Sequence, residues 1–129
     1  MSQHDDEKWK KVLTPEQFYV TRQKGTERPY TSEYLNFDKD GKYTCICCGA
    51  ELFTSDAKFN SHCGWPAFYK ASNNEQNIER TLDKSHGMIR TEVTCKQCGA
   101  HLGHVFDDGP RPTGERFCIN GVSIKFSPK

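Results

Sequence analysis

The sequence has no long apolar run. Nothing in its 129 residues approaches the ~18 consecutive apolar residues of a membrane helix. Its first residues, MSQHDDEKWKK, carry no apolar core segment, so no secretory leader is expected there. The chain also lacks an excess of either charge: 18 Lys and Arg stand against 17 Asp and Glu, a formal net charge of +1. That balance argues against a non-specific nucleic-acid binder and against anchoring on an anionic lipid surface by charge alone. Low-complexity tracts and composition breaks are missing too, so residues 1–129 read as one domain. Hydrophobic residues are only 34%, but aromatics reach 12%, more than a disordered chain usually carries.

An even cysteine count is also missing. Seven cysteines cannot all pair internally. Without a leader, a reducing cytoplasm is the expected setting, where cysteines more often bind metal or do chemistry. A polar chain of this size buries a modest core, so a structural metal would help hold it together.

Thr14-Pro15-Glu16-Gln17 reads as a helix start: Thr14 caps, Pro15 suits the first turn and Gln17 completes a capping box. Phe18 and Tyr19 are expected to face inward, and Gly25 to end the segment. A shorter helix is expected around Glu7 to Leu13 in an otherwise polar N-terminal tail, residues 1–11. From Lys42 onward short strands alternate with turns. The expected strands are Lys42–Ile46, Asn77–Leu82, Met88–Thr94, His101–Phe106, Arg116–Ile119 and Val122–Phe126. Asn120-Gly121, between the last two, predicts a hairpin. Residues 107–114 read as a turn-rich loop.

A small repeat is present. Residues 45–52 and 95–102 both read C-x-x-C-G-A-x-L. Cys45, Cys48, Cys95 and Cys98 thus form two knuckles suited to the four tetrahedral corners of one structural zinc ion. Residues 49–94 between them must then be a folded insert. A local site from Cys95, Cys98, His101 and His104 is the competing reading, but its spacing is far shorter than in ordinary fingers and it leaves Cys45 and Cys48 unused. Cys47 reads as a bystander thiol.

Cys63 and Cys118 remain. A nucleophilic cysteine must be thiolate, and at an ordinary pKa only roughly 3% is ionised at pH 7. Arg116 lies two residues from Cys118, so on a strand Arg116, Cys118 and Asn120 would share a face. His101 and His104 can supply protons. The residues read as a cysteine nucleophile with histidine acids and a possible second cysteine, without naming a substrate. Each also has a plainer reading: Cys118 and Trp65 as core, Arg116 as a surface cation, Asn120 as a turn residue, the histidines as structural. His4 and His86 lie in no chemical motif by this reading.

Taken together, several segments resemble the B-type peptide-methionine sulfoxide reductases, which act on the R epimer. They are Gln17–Thr21, Gly25–Glu27, the two knuckles, Cys63–Pro66, Ser85–Met88, His101–Phe106, Asp108–Pro110 and Pro112–Asn120. The likeness runs from about residue 12 to 126. It implies a mainly β fold of two antiparallel β-sheets with short N-terminal helices and a structural zinc site (one ion) away from the active site. It implies that Cys118 attacks and Cys63 resolves. His101, His104 and Asn120 would bind and protonate the sulfoxide oxygen, Trp65 would wall the methyl group, and Arg116 would pair with Asp108 near the nucleophile. The implied substrate is methionine-R-sulfoxide, free or in proteins, and the implied reductant is thioredoxin. Departures are His62 for a usual glycine, Ala67 for a serine and Phe117 for a tyrosine, the last expected to remove a hydroxyl near the nucleophile. Competing functions are a zinc-ribbon module that binds protein partners, which has no use for Cys118, Arg116 and the histidines together, and a peroxidase-like cysteine enzyme, which has no use for a Trp65 wall.

Overall fold

The computed structural model describes residues 6–129; residues 1–5, with His4, lie outside the described residues, as do the side chains of Asp6 and His86. Two short helices come first, α1 (Asp6–Val12) and α2 (Pro15–Arg22). The capping box forms as read: Gln17 N–H donates to Thr14 Oγ1 at 3.1 Å, and Thr14 N–H to Gln17 Oε1 at 2.9 Å. The expected tail is helical from Asp6, and Trp9 sits in the core at 8% exposure. Two details differ. Tyr19 faces solvent while Phe18 is buried, because consecutive helical residues turn about 100° apart. The helix stops at Arg22, and Lys24 (φ 60°) rather than Gly25 makes the left-handed turn.

Nine strands follow among the described residues. Sheet one has the order β2 (Glu51–Thr54), β1 (Gly41–Cys45), β9 (Ile124–Pro128). Sheet two has the order β3 (Lys58–Phe59), β4 (Ala67–Phe68), β8 (Arg116–Ile119), β7 (His101–Phe106), β6 (Arg90–Cys95), β5 (Ile78–Asp83). All the pairings are antiparallel. The mainly β class with two antiparallel sheets and short N-terminal helices is therefore what the chain forms. Strands β2, β3 and β4 were not legible: they are short and lack a run of alternation.

The expected hairpin at Asn120-Gly121 does not form. β8 belongs to the six-stranded sheet and β9 to the three-stranded one, joined by a 3-10 turn at Gly121–Ser123. Asn120 has φ −67° and ψ 123°, outside the left-handed region a two-residue hairpin turn requires. Its side chain is engaged elsewhere, so the dipeptide serves as a crossing between sheets.

The core lies between the sheets. Phe53 of sheet one stacks on Phe68 of sheet two with centroids 4.4 Å apart, and Phe117 meets Phe53 edge-on at 5.6 Å. Each such ring contributes about 1.5–3 kcal/mol by leaving water. Phe117 points into this core, so its missing hydroxyl lies on the face of β8 away from Cys118. No helix of the described residues is long and apolar enough to cross a membrane.

Candidate active site and metal centre

Strand β8 alternates: Phe117 and Ile119 are fully buried, while Arg116 and Cys118 take the other face. Its neighbour β7 places His104 opposite Cys118 and Phe106 opposite Arg116. The strands can close here because position 103 is glycine; a Cβ would stand 2.0 Å from the Cys118 carbonyl oxygen.

Cys63 arrives on the loop before β4, and β4 pairs with β8 so that Ala67 faces Cys118. The two sulfurs lie 3.0 Å apart, both free thiols. Ser61 Oγ donates to Cys63 Sγ at 2.9 Å, and the Cys63 thiol reaches the Trp65 carbonyl at 3.3 Å. The hydrogen bond from Cys118 draws Cys63 down to about 5, aided by Ser61. Cys118 is pushed up by the same bond and by burial, against the pull of Arg116. The pair loses its first proton early and holds the second firmly, so it carries one shared negative charge at neutral pH.

Each histidine has a carboxylate. His101 Nδ1 meets Glu92 Oε2 at 2.7 Å, and His104 Nε2 meets Asp83 Oδ2 at 2.8 Å. Lys24 bridges both acids, at 3.3 Å from Glu92 and 3.6 Å from Asp83. The His104 hydrogen bond holds Asp83 well below the usual carboxylate range. Burial pushes Glu92 up, but His101 and Lys24 outweigh it and leave it lowered. Both acids are acceptors, so the facing ring nitrogens carry the protons and the tautomers are set. Burial lowers His104, with Arg90 and His101 adding to that and Asp83 opposing it.

A cleft of about 90 Å³ opens over Cys118, lined by Trp65, His104, Phe106, Asn120 and Thr26, with Arg90 and Gly103 at its sides. At about 30 Å³ per water that is room for a methyl, a sulfur and an oxygen. The larger clefts of about 250, 520 and 660 Å³ hold neither Cys63 nor Cys118. Asn120 is 4% exposed; its amide donates to the Leu102 carbonyl at 3.0 Å. His101 is buried at 3% behind the cleft, its ring 5.6 Å from that of His104. Arg116 does not line the cleft. It forms a two-pronged pair with Asp108 at 2.9 and 3.2 Å and lies 4.5 Å above the Phe106 ring. Beside Cys63, His62 is exposed and held at φ 60°, a conformation glycine adopts without strain.

The two knuckles repeat in three dimensions. Gly49 N–H bonds the Cys45 carbonyl at 2.9 Å and Gly99 N–H the Cys95 carbonyl at 2.7 Å, with both glycines left-handed at φ 83° and 81°. The four sulfurs lie within 4.8 Å of one another, and two cross-knuckle pairs stand at 3.6 Å. A tetrahedron with metal–sulfur bonds of about 2.3 Å has edges of about 3.8 Å, so the set fits one soft divalent ion. His101 and His104 are engaged at the cleft, which removes the competing Cys₂His₂ set. Cys47 packs half-buried against the core rather than on the surface.

Sequence reasoning missed Ser61, Lys24, Asp83 and Glu92. Glu92 sits opposite His104 in the β6–β7 register, but that register exists only once the strands pair. Thr26 and Glu27 lie in a segment singled out without a role.

The SelR domain family matches residues 13–128. Among curated proteins, the chain is 54% identical over 121 residues to a peptide methionine sulfoxide reductase MsrB of Hahella chejuensis, covering 94% of this chain and 86% of that protein. It is 58% identical over 123 residues to the protein of the same name in Pseudomonas putida, covering 95% and 92%. It is 52% identical over 120 residues to that of Acinetobacter baumannii, covering 93% and 86%. A solved structure, the Mis18 'Yippee-like' domain, superposes with a TM-score of 0.54 at 17% identity, over 70% of this chain and 98% of that one. That likeness is one of fold alone.

Proposed function

The chain belongs to the SelR-domain family of MsrB-type peptide methionine sulfoxide reductases, and from that premise we propose that it reduces the R epimer of methionine sulfoxide, free or in proteins. The observation that carries the reading is Cys118 at a small cleft, 3.0 Å from Cys63 and opposite His104.

Cys118 passes its proton across the 3.0 Å contact to Cys63, and the Cys118 thiolate so formed attacks the sulfoxide sulfur, making an S–S bond. As the S–O bond breaks, the oxygen takes two protons from the histidine pair and leaves as water. Water then attacks Cys118 Sγ and returns one proton to the histidines; the S–S bond breaks, its electron pair leaves with the thioether, and Cys118 becomes a sulfenic acid. Cys63 then attacks the sulfenate, forming a disulfide and releasing water. A thioredoxin dithiol opens that disulfide by exchange and restores the starting pair. Trp65 meets the methyl group while Asn120 and His104, with His101 behind it, serve the oxygen, so epimer choice is a matter of shape. Asp83 and Glu92 keep each imidazole oriented. Arg116, itself steadied by Asp108, favours charge on Cys118.

Cys45, Cys48, Cys95 and Cys98 would hold one structural zinc ion, whose chemistry there is to tie the knuckles as thiolates. None of the four lines the cleft. A reducing cytoplasm suits both the free thiols and thioredoxin.

The test offers R- and S-methionine sulfoxide with dithiothreitol. Turnover of R alone is expected; turnover of neither removes the reading. Cys63→Ser is expected to work with dithiothreitol and fail with thioredoxin.

A further inference from the structure

Glu27 is a buried carboxylate that the steps above leave without a part. It is 3% exposed, and among the described ion pairs none involves it. Main-chain amides hold it instead: Gly121 N–H donates to Oε2 at 2.7 Å and Val122 N–H to Oε1 at 3.2 Å. Burial raises its pKa and those two amides oppose the rise. An unpaired buried carboxyl is costly, and it persists where something else depends on it.

What depends on it is visible in its own main chain. Glu27 N–H donates to Asn120 Oδ1 at 2.9 Å, and its carbonyl accepts from Trp65 Nε1 at 3.0 Å. One residue therefore ties the two sides of the cleft, Asn120 and Trp65, to the turn just after β8. The preceding residue, Thr26, lines the same cleft. We propose that Glu27 is the positioning residue of this site: its carboxylate grips the Gly121–Val122 turn so that its main chain holds Asn120 and Trp65 in fixed relation to Cys118.

The proposal rests on the sulfoxide-reductase reading. In that reading the oxygen-binding and methyl-binding sides must keep their spacing for attack to be in line, and a displacement of about 1 Å costs about 10²-fold in rate. Removing the carboxylate frees both sides together. Cys118, held by the β4–β8–β7 ladder, stays where it is.

The experiment uses Glu27→Ala and Glu27→Gln in the full chain carrying Trp9→Phe, which leaves Trp65 as its single tryptophan. Folding is checked by circular dichroism, and Glu27→Gln, which keeps one acceptor oxygen, stands in if Glu27→Ala does not fold. We expect kcat/KM for the R-sulfoxide to fall about 10²-fold in Glu27→Ala and roughly 10-fold in Glu27→Gln. Trp65 emission should shift in both, while iodoacetamide alkylation of the Cys63–Cys118 pair stays within about twofold. In an Asn120→Ala background the further loss from Glu27→Ala should shrink to about threefold or less, because Glu27 acts through Asn120. A folded variant that turns over at the unsubstituted rate overturns the proposal, as does a full loss retained in the Asn120→Ala background. Failure of the unsubstituted chain to reduce the R-sulfoxide would instead remove the reaction itself.

Discussion

Cys63 Sγ and Cys118 Sγ lie 3.0 Å apart, although 55 positions separate them in the chain. The β4–β8 pairing brings them together, and Cys118 is the largest reason that Cys63 ionises at about 5. Removing Cys118 removes that cause. Alkylation by iodoacetamide in the unsubstituted protein should therefore rise with pH about a midpoint near 5. In Cys118→Ala the midpoint should move up, toward the ordinary thiol value of 9.0. An unchanged midpoint would show that Ser61 and Arg116 alone set the charge.

The Asp83–His104 pair gives a second expectation, with a definite sign. Asp83 raises the pKa of His104 against burial. Asp83→Asn should lower it further and carry the alkaline limb of kcat/KM to lower pH. Loss of orientation should reduce kcat/KM by roughly 10–100-fold, the range seen when a carboxylate that orients a histidine is removed. Stability moves too. The folded pKa of Asp83 lies below its unfolded value of 3.8, so its contribution is present above that pH and is lost as pH falls through the depressed value. Acid unfolding of Asp83→Asn should lack that component.

Much of the site was legible in the sequence because it depends on short-range spacing. The C-x-x-C-G-A-x-L repeat places two sulfurs and a left-handed glycine within one turn, whatever surrounds them. Arg116 and Cys118 share a face because a strand alternates. What was hidden depends on register between distant strands. Glu92 becomes a partner of His101 only when β6 pairs with β7, and Lys24 joins both acids only after α2 docks. Asn120-Gly121 misled for the same reason. Its local preference is a hairpin, but Glu27, 93 positions earlier, captures the Asn120 side chain and turns the chain into the other sheet.

The knuckles should govern stability rather than the chemistry. A structural zinc site is worth ~10–16 kcal/mol in small domains, against a net folding stability of ~5–15 kcal/mol. Elemental analysis should find one zinc per chain, and Cys98→Ser or a strong chelator should unfold the protein, read as loss of a cooperative thermal transition. A metal-free preparation with an unchanged transition would contradict the zinc assignment.

Arg116 separates charge from geometry. Its guanidinium takes Asp108 with two nitrogens and lies flat over Phe106, 4.5 Å from the ring centroid. Lysine keeps the charge but offers neither the fork nor the plane. If charge near Cys118 is what matters, Arg116→Lys should retain most of the rate and Arg116→Met should lose about tenfold, the cost of one pKa unit on the nucleophile. If the fork matters, Arg116→Lys and Asp108→Asn should lose alike, since either breaks the pair that fixes the cation. The structure favours the second outcome: Arg116 is anchored by Asp108 and Phe106 at fixed distance, and a free ammonium at the end of a flexible stem would turn to solvent. The measurement is kcat/KM for the R-sulfoxide across the three variants. Arg116→Lys indistinguishable from the unsubstituted protein would assign the effect to charge alone.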